Sequence, residues 1–422
     1  MKIAYFCDEY PPFFRGGLGT YATEITREFV KKGHDISVFS RNTGQDPTFD
    51  ILAGVEVHRP RLLAFADILS IVNPTEVRSW DQNGQEFFAE TVLYNLLSSS
   101  KLVNYLVQNE HRHYDLLVSH DWIASLAGII AKRNLKVPFI FHFHSTEQGR
   151  NPAGSPTIKE IEHLSAITAD RIVTVSHAMR DELISFGYPE SKIRVIHNGV
   201  DAEKYDPATI PRQKIDEFRD EIGVGKSPMI FFIGRLTWVK GADTLIQAMP
   251  EIVKEVPDAK LVLLGIGDQE QQLSQMVRDF HLGRNVILHY KMVPEDERIL
   301  YYAASDVCVF PSKYEPFGIV CLEAMSMGKP VIVGAKGTSG FREQVIPSGD
   351  EVSGCHVDPG DPADIARFVV KILKDPELAR KMGINGRRRV LEHFTWDIIS
   401  DKTIRVYQDV VDDNKRESGT DE

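Results

Sequence analysis

The chain has 422 residues, a length that favours two or three domains over a single core. Hydrophobic residues make up 42% and charged residues 26%, and no apolar run approaches the ~20 residues of a membrane span. The net charge of −11, from 49 basic and 60 acidic residues, argues against a general nucleic-acid binder. We therefore predict a globular protein with no integral membrane association and no nucleic-acid partner.

The N-terminus enters a strand pattern at once, without the basic segment, apolar stretch and cleavage site of a secretory signal. The cysteines are scattered and lack the paired spacing of a zinc site; they are Cys7, Cys308, Cys321 and Cys355. These features predict a cytoplasmic protein with four reduced thiols and no bound metal.

Short β-branched runs alternate with helical patterns over the first half of the chain, which is typical of a parallel, doubly wound α/β sheet. Between the first two strands, apolar residues from Leu18 to Phe29 recur every three to four positions and predict a helix that ends at Gly33. The interval 61–110 is less regular and predicts a loop and a long helix. The predicted strands are residues 2–6, 35–40, 54–60, 115–120, 138–144, 171–176 and 192–197.

A polar stretch between residues 206 and 228 is the best candidate for a linker, because the strand alternation restarts directly after it. A last helical pattern covers about 396–411 and precedes an acidic tail. The sequence thus predicts two doubly wound domains that face each other. The strands of the second domain are predicted at 229–234, 260–264, 285–290, 307–311, 330–334 and 355–357.

Residues that directly follow strands are the candidates for a site, because open α/β sheets bind ligands at the carboxyl ends of their strands. After the first strand, Gly16 and Gly17 open a helix, where glycines let the backbone approach a ligand and free amides face outward. The segment lacks the Gly-x-Gly-x-x-Gly spacing of a dinucleotide fingerprint, and a tight strand-to-helix turn is the alternative interpretation.

Two cations follow the first strand of the second half. Arg235 lies just beyond this strand and Lys240 at the next helix start, so that both could neutralise a diphosphate. The alternative is a pair of solvated surface charges. After the next strand, Gly265 and Gly267 could pass the backbone beneath a nucleobase, although Gly-x-Gly before a helix is commonplace.

Two carboxylates, Glu315 and Glu323, stand eight positions apart across the opening of a helix that follows the strand 307–311. Eight helical residues span roughly 12 Å, so this pair could hold both ends of a hydroxyl-rich ligand. Free amides at a helix start bind phosphate. The amides between the two carboxylates are those of Phe317, Gly318 and Ile319.

His144 ends a predicted strand, and His142 lies two residues earlier on the same face. Such histidines are usually core or edge residues, but His144 stands at the carboxyl end of the strand beside polar residues. Asp121 follows another strand end, and its alternative interpretation is an N-cap of the helix 122–134.

These segments together resemble the retaining glycosyltransferases of family 4 (group 1), in particular the glycogen-synthase-like subgroup. The matching motifs are the glycine-rich loop, His120-Asp121-Trp122, the Gly-Arg-Leu-x-x-x-Lys-Gly of residues 234–241 and the Glu-x7-Glu of residues 315–323. Residues 142–144 are similar to the Thr-x-His of the family, with His142 in place of the threonine, and this match favours His144 as the site residue.

The resemblance implies a GT-B fold, in which two doubly wound, Rossmann-like domains face a cleft and a C-terminal helix crosses back to the first domain. Residues 1–208, with the helix at about 396–411, would form the acceptor-side domain. Residues 225–395 would bind the nucleotide sugar.

The resemblance also implies residue roles. Arg235 and Lys240 would bind the diphosphate, Glu315 the hydroxyls of the transferred sugar and Glu323 the ribose, while His144 would contact the sugar near its reacting carbon. We count His144, Glu315, Arg235 and Lys240 as catalytic. No metal or other cofactor is expected. The substrate-binding residues are Gly16, Gly17 (whose amide would bind a phosphate), Asp121, Gly265, Gly267, Phe317, Gly318, Ile319 and Glu323.

The implied activity is that of a retaining hexosyltransferase, which moves glucose from a UDP-, ADP- or GDP-hexose to a carbohydrate such as an α-glucan. Phe14 occupies the lysine position of the Lys-x-Gly-Gly of bacterial glycogen synthases, and the segment 337–341 also departs from the common form. Mannosyl transfer and sucrose-phosphate-synthase-like transfer therefore stay open. A nucleotide-sugar 2-epimerase and a non-catalytic nucleotide-sugar sensor are further alternatives.

Overall fold

A computed structural model describes residues 1–13, 16–63, 73–151 and 153–418. The predicted departure at Phe14 lies outside the described residues, as do parts of the predicted loop and of the acidic tail. The chain forms two compact units. The first contains Met1–Val175, Arg180–His197 and Trp396–Glu422, and the second contains Ser176–Met179 and Asn198–Thr395.

The first unit is built on an eight-stranded sheet in the order β3-β4-β2-β1-β5-β6-β7-β8. All pairs are parallel except β3 and β4, which form an antiparallel hairpin at one edge. The central strands are buried on both faces, as expected of a sheet covered by helices. The strands are β1 (Lys2–Phe6), β2 (Asp35–Phe39), β3 (Phe49–Leu52), β4 (Val55–His58), β5 (Leu116–His120), β6 (Phe139–Phe143), β7 (Arg171–Thr174) and β8 (Ile193–Val195).

The helices of the first unit connect these parallel strands. The second of them continues as a π-helix at Lys101–Asn109, in the interval that the sequence left irregular. Side-chain caps begin several of these helices; for example, Asp81 accepts from the amide of Gly84, and Ser155 accepts from the amide of Ile158. The helices are α1 (Gly17–Lys31), α2 (Gln82–Ser100), α3 (Asp121–Leu135), α4 (Glu147–Arg150), α5 (Pro156–Thr168) and α6 (His177–Ser185), whose first residues are assigned to the second unit.

The second unit has a six-stranded, all-parallel sheet in the order β11-β10-β9-β12-β13-β14. Its core lies between this sheet and its helices, with Ile230, Leu245 and Leu261 fully buried. The strands are β9 (Met229–Ile233), β10 (Lys260–Leu264), β11 (Val286–His289), β12 (Val307–Phe310), β13 (Val331–Gly334) and β14 (Gly354–Val357).

The polar stretch predicted as a linker contains a helix, α7 (Arg212–Glu221), whose Phe218 is buried edge-on against Tyr301 at 4.9 Å. The other helices of the second unit are α8 (Ala242–Glu255), α9 (Glu270–Asp279), α10 (Glu295–Ala304), α11 (Ile319–Ser326), α12 (Phe341–Gln344), α13 (Pro362–Lys374) and α14 (Pro376–His393).

The last helix, α15 (Trp396–Ser418), packs against α1 of the first unit. Tyr407 is fully buried with its ring 5.7 Å from that of Phe29, and Lys32 Nζ lies 2.6 Å from Asp397 Oδ1. The prediction of two doubly wound, Rossmann-like units with a C-terminal helix on the first is confirmed. All four cysteines are free and buried. Within the described residues, no helix combines the length and apolarity that a membrane crossing would require.

Candidate functional site

The loops that follow β9 and β12 lie side by side, because these two strands are neighbours in the second sheet. Gly241, at φ +72°, leaves no room for a side chain: a Cβ there would stand 2.1 Å from the carbonyl oxygen of Pro311. The amide of Lys313 donates to the carbonyl of Val239 at 2.8 Å. This close packing fixes the backbone on both sides of Lys240 and Glu315.

Lys240 and Glu315 form an ion pair, with Lys240 Nζ 2.6 Å from Glu315 Oε2. The hydroxyl of Ser312 donates to the same carboxylate oxygen at 3.3 Å. Glu315 is 6% exposed. No hydrogen bond from a described residue reaches its other oxygen, Oε1, which is therefore the one left to accept from a ligand.

Arg235 lies on the same loop as Lys240 and is exposed. Within the ranges that the structure describes, its guanidinium makes no hydrogen bond or ion pair. It can therefore give a planar, two-point contact to an anion without breaking an internal bond.

The segment between the two carboxylates is helical only in its second half. The helix α11 begins at Ile319, after Gly318 at φ +88°, so a helix does open between the two carboxylates, as predicted, but the span of eight helical residues does not apply to the whole segment. The backbone of Glu315 instead bridges that of Ser339. Phe317 is buried. In the first turn of α11, the amide of Cys321 donates to the carbonyl of Gly318 at 3.1 Å, whereas no hydrogen bond within the described residues uses the amide of Ile319, which lies closer to Glu315 in the chain.

Glu323 is a buried carboxylate with partners on both oxygens. The hydroxyl of Tyr205 donates to Oε1 at 3.0 Å and that of Tyr302 to Oε2 at 2.6 Å, while Arg298 Nη2 lies 3.5 Å from Oε1. The charge of Glu323 raises the pKa of Arg298, and burial followed by this charge raises the pKa of Tyr302. These three partners could not be predicted from the sequence, because no local motif marks them.

Gly265 and Gly267 have a structural reason to be glycines. A Cβ on Gly265 would stand 1.9 Å from the carbonyl oxygen of Gly234, and one on Gly267 would stand 2.2 Å from that of Leu236. The loop after β10 thus packs directly on the loop after β9. It helps to hold the backbone that leads to Lys240.

In the first unit, Gly16 is the extended N-cap residue of α1 and Gly17 is its first residue. The amide of Gly16 donates to Glu9 Oε2 at 3.0 Å. A carboxylate thus already lies at this helix N-terminus, where the helix dipole favours negative charge.

Three imidazoles, which we call the histidine cluster, meet at the carboxyl ends of β5 and β6: His120, His142 and His144. Nδ1 of His120 and Nε2 of His144 are 2.9 Å apart, and Nε2 of His142 is hydrogen-bonded to the hydroxyl of Tyr407 at 2.8 Å. His120 and His142 are buried and His144 is half-buried. Burial lowers the pKa of all three, so the cluster is neutral at neutral pH.

Asp121 holds the backbone at His144. Its Oδ1 accepts from the amide of His144 at 2.7 Å and from that of Ser145 at 3.4 Å. It is the first residue of α3, at φ +50°, while His120 occupies the N-cap position. The alternative interpretation of Asp121 as the N-cap is therefore wrong. Its carboxylate fixes the loop that carries a predicted site residue.

Two family models cover most of the chain between them. The model described as Glycosyltransferase Family 4 matches residues 15–204, and that described as Glycosyl transferases group 1 matches residues 214–389. An uncharacterized glycosyltransferase of Methanocaldococcus jannaschii is 34% identical over 416 residues, which are 97% of this chain and 98% of the relative. The chain is a family 4, group 1 glycosyltransferase. The family predicted from the sequence is confirmed.

Other proteins similar to this glycosyltransferase have more specific names. Glycogen synthase of Mycobacterium tuberculosis is 28% identical over 419 residues, with 96% of this chain and 94% of the relative covered. Sucrose-phosphate synthase from Thermosynechococcus elongatus matches with a TM-score of 0.77 at 22% identity, over 97% of this chain and 98% of that chain. The catalytic domain of starch synthase IV from Arabidopsis thaliana, bound to ADP and acarbose, matches with a TM-score of 0.75 at 18% identity, over 97% and 99%. These structural similarities show a GT-B fold.

For this family 4 glycosyltransferase, the structure brings together some of the predicted site residues. Lys240 contacts Glu315, and Asp121 contacts the backbone of His144. Glu323 instead contacts Tyr205, Tyr302 and Arg298, none of which was predicted as a site residue. The roles assigned to individual residues stay predictions.

Proposed function

We propose that this glycosyltransferase moves a hexosyl unit, with retention of the anomeric configuration, from a nucleotide-diphosphate sugar to a carbohydrate acceptor. The observation that carries the proposal is the Lys240–Glu315 pair together with the exposed Arg235 on the same loop as Lys240. Two cations suit a diphosphate leaving group, and a buried carboxylate with one open oxygen suits a sugar hydroxyl. Glucose is the proposed sugar and an α-glucan the proposed acceptor. The similarity to a glycogen synthase supports both.

In the proposed reaction, the bond between the anomeric carbon and the diphosphate oxygen breaks, and the acceptor oxygen bonds to that carbon on the same face. The acceptor proton passes to the departing phosphate. Lys240 and Arg235 donate to the diphosphate as its negative charge grows, which stabilises the transition state more than the bound substrate. Glu315 accepts from a hydroxyl of the transferred sugar. Because the two cations supply this charge stabilisation, the proposed reaction requires no metal.

Glu323 would anchor the ribose. A ribose hydroxyl would share a carboxylate oxygen with Tyr205 or Tyr302, since each such oxygen accepts more than one hydrogen bond. In the first unit, we propose that Asp121 positions His144 and that the neutral imidazole of His144 contacts the sugar substrate. The amide of Gly17 would bind a phosphate oxygen.

The decisive experiment offers purified protein UDP-, ADP- and GDP-glucose, each with and without a glucan. We expect free nucleoside diphosphate together with a lengthened glucan whose new linkage has the α configuration by NMR. Activity should persist in excess EDTA. The Lys240→Ala variant is the matched control and should be slower by about 10²-fold or more. An isomerised donor, or donor binding without turnover on any acceptor, would overturn the proposal.

The second candidate is transfer to a phosphorylated sugar, as the name of sucrose-phosphate synthase indicates for that protein. It is tested in the same assay by replacing the glucan with hexose phosphates. A phosphorylated disaccharide as the product would favour this candidate over the glucan synthase. Replacing the donor with GDP-mannose tests mannosyl transfer in the same way.

A further inference from the structure

The contact between His120 and His144 restricts where the protons of both rings can be. His120 is fully buried, and its Nδ1 lies 2.9 Å from Nε2 of His144. Its other nitrogen, Nε2, is buried without a hydrogen-bond partner. On the side of His144, no hydrogen bond from a described residue reaches Nδ1, and the ring is half-buried.

The proton on neutral His120 has two places to be. On Nε2 it would form a buried N–H without an acceptor, which is among the rarest and costliest arrangements in a folded protein. On Nδ1 it is donated to Nε2 of His144, and only a lone pair is left unsatisfied on Nε2 of His120. The second arrangement is favoured, and it obliges His144 to carry its own proton on Nδ1.

The surroundings hold both rings in place. The ring of His120 lies 4.3 Å from that of Tyr5 and 4.5 Å from that of His142 between their centroids, and the ring of His144 lies 4.7 Å from that of Tyr21. His142 is itself bound to Tyr407 on α15. The ring of His120 thus packs against a second imidazole whose own position is fixed by a hydrogen bond.

We propose that His120 is a positioning residue that donates its Nδ1 proton to His144 and so makes His144 a hydrogen-bond donor, through Nδ1, to an oxygen of the sugar substrate. The direction of the proton follows from the geometry of the cluster. Only the identity of the substrate rests on the proposed function. A donor at this position would favour an oxygen that gains negative charge or that has no proton to give.

The first test reads the protons directly. Long-range 1H–15N correlation spectra of protein labelled at histidine should show both His120 and His144 as Nδ1–H tautomers at neutral pH. His289, whose Nδ1 is bound to the hydroxyl of Tyr301 at 2.7 Å, provides a reference ring outside the cluster. An Nε2–H tautomer of His144 in the unaltered protein would overturn the proposal.

The second test uses two variants of His120. Asparagine places an N–H donor on the same side-chain carbon as Nδ1 of histidine, whereas leucine places none. We expect His120→Asn to keep the Nδ1–H form of His144 and most of the turnover. His120→Leu should lose the fixed tautomer and lower kcat by roughly 10- to 100-fold, with the donor KM little changed. Thermal unfolding of both variants shows whether they fold.

The outcomes separate the inference from the proposed function. Equal tautomers and equal kcat in the two variants would overturn the positioning role. The expected spectra in a protein without transferase activity would instead overturn the function and leave the role of His120 standing.

Discussion

Lys240 and Glu315 compensate each other's charge, with Lys240 Nζ 2.6 Å from Glu315 Oε2. Removing one partner leaves the other partly buried and unpaired, which costs more than the pair itself contributes. A ligand that draws Lys240 away must therefore offer Glu315 a hydrogen bond in return. A sugar diphosphate can do both, because its phosphates attract Lys240 and a hydroxyl of its sugar ring can donate to Glu315.

A double-mutant cycle tests this coupling. We expect each single variant, Lys240→Met or Glu315→Gln, to lower the stability by more than the double variant does. The coupling free energy from thermal unfolding should be about 1–2 kcal/mol. The exposed pair Lys374–Glu255 is the matched control, and its cycle should give no measurable coupling, because solvent screens both charges. Equal couplings for the two pairs would show that burial does not strengthen the Lys240–Glu315 contact.

Individual residues could be predicted from the sequence only where a local motif marks them. Lys240 and Glu315 belong to such motifs, but that they contact each other could not be foreseen. The partners of Glu323 come from two other segments, at Tyr205 and along α10, and are brought together only by tertiary packing. Asp121 could be singled out because it follows a strand, but its bond to the amide of His144 depends on a backbone at φ +50° that no pattern indicates.

At the scale of elements, the contact between the loops after β9 and β10 depends on glycines. We expect Gly267→Ala to lower the melting temperature by several degrees and to weaken donor binding, because the new methyl would collide with the carbonyl of Leu236. Gly283→Ala is the control, since a Cβ at Gly283 meets nothing within 4 Å. Similar effects from both substitutions would argue against the close approach.

The helix α5 carries a buried carboxyl group that makes stability depend on pH. Burial is the main cause that raises the pKa of Glu162 from 4.5 to about 8. The amide of Glu147, which donates to Glu162 Oε1 at 2.8 Å, acts in the opposite direction and lowers this pKa. Because the folded pKa is the higher one, this contribution to stability is complete below pH 4.5 and is lost as the pH rises to about 8.

We expect Glu162→Gln to remove this dependence. Relative to the unaltered protein, the variant should gain about 2–4 kcal/mol in unfolding free energy between pH 5 and pH 9, since an amide oxygen still accepts from Glu147 and carries no charge. Glu160→Gln, at an exposed position of the same helix, should follow the unaltered protein at every pH. Urea unfolding at several pH values measures both. If the unfolding free energies of Glu162→Gln and of the unaltered protein changed with pH by the same amount, the raised pKa of Glu162 would be contradicted.

Elements with a strong period could be predicted, and those held by tertiary contacts could not. The buried parallel strands stand out because they are short, β-branched and separated by helices. The edge strand β3 does not, because half of its residues are exposed and its pairing depends on the hairpin turn at Ala53-Gly54. The helix α7 was hidden by its charged composition, and its two buried residues tie it to the rest of the unit: Phe218 packs against Tyr301, and Arg219 donates to the carbonyl of Ala304.

At the scale of the whole molecule, the first unit is assembled from distant parts of the chain, since α15 follows the entire second unit in sequence. Deleting residues from 396 onward should destabilise the first unit, because it exposes the buried faces of Tyr21 and Phe29 on α1. The amide protons of the second unit should stay protected from hydrogen exchange. Hydrogen exchange resolved by peptide measures the two units separately, and equal loss of protection in both would contradict this independence.

The order of these segments has a consequence for synthesis on the ribosome. Residues 198–395 form nearly all of the second unit as one continuous stretch, so that unit can fold as soon as it has left the exit tunnel. The first unit is translated earlier but must wait for α15, with Tyr21, Phe29 and the bond between His142 and Tyr407 incomplete until then. The first unit therefore cannot be completed before α15 has been synthesised, and the face of α1 that α15 covers stays exposed for as long as translation of the intervening residues takes.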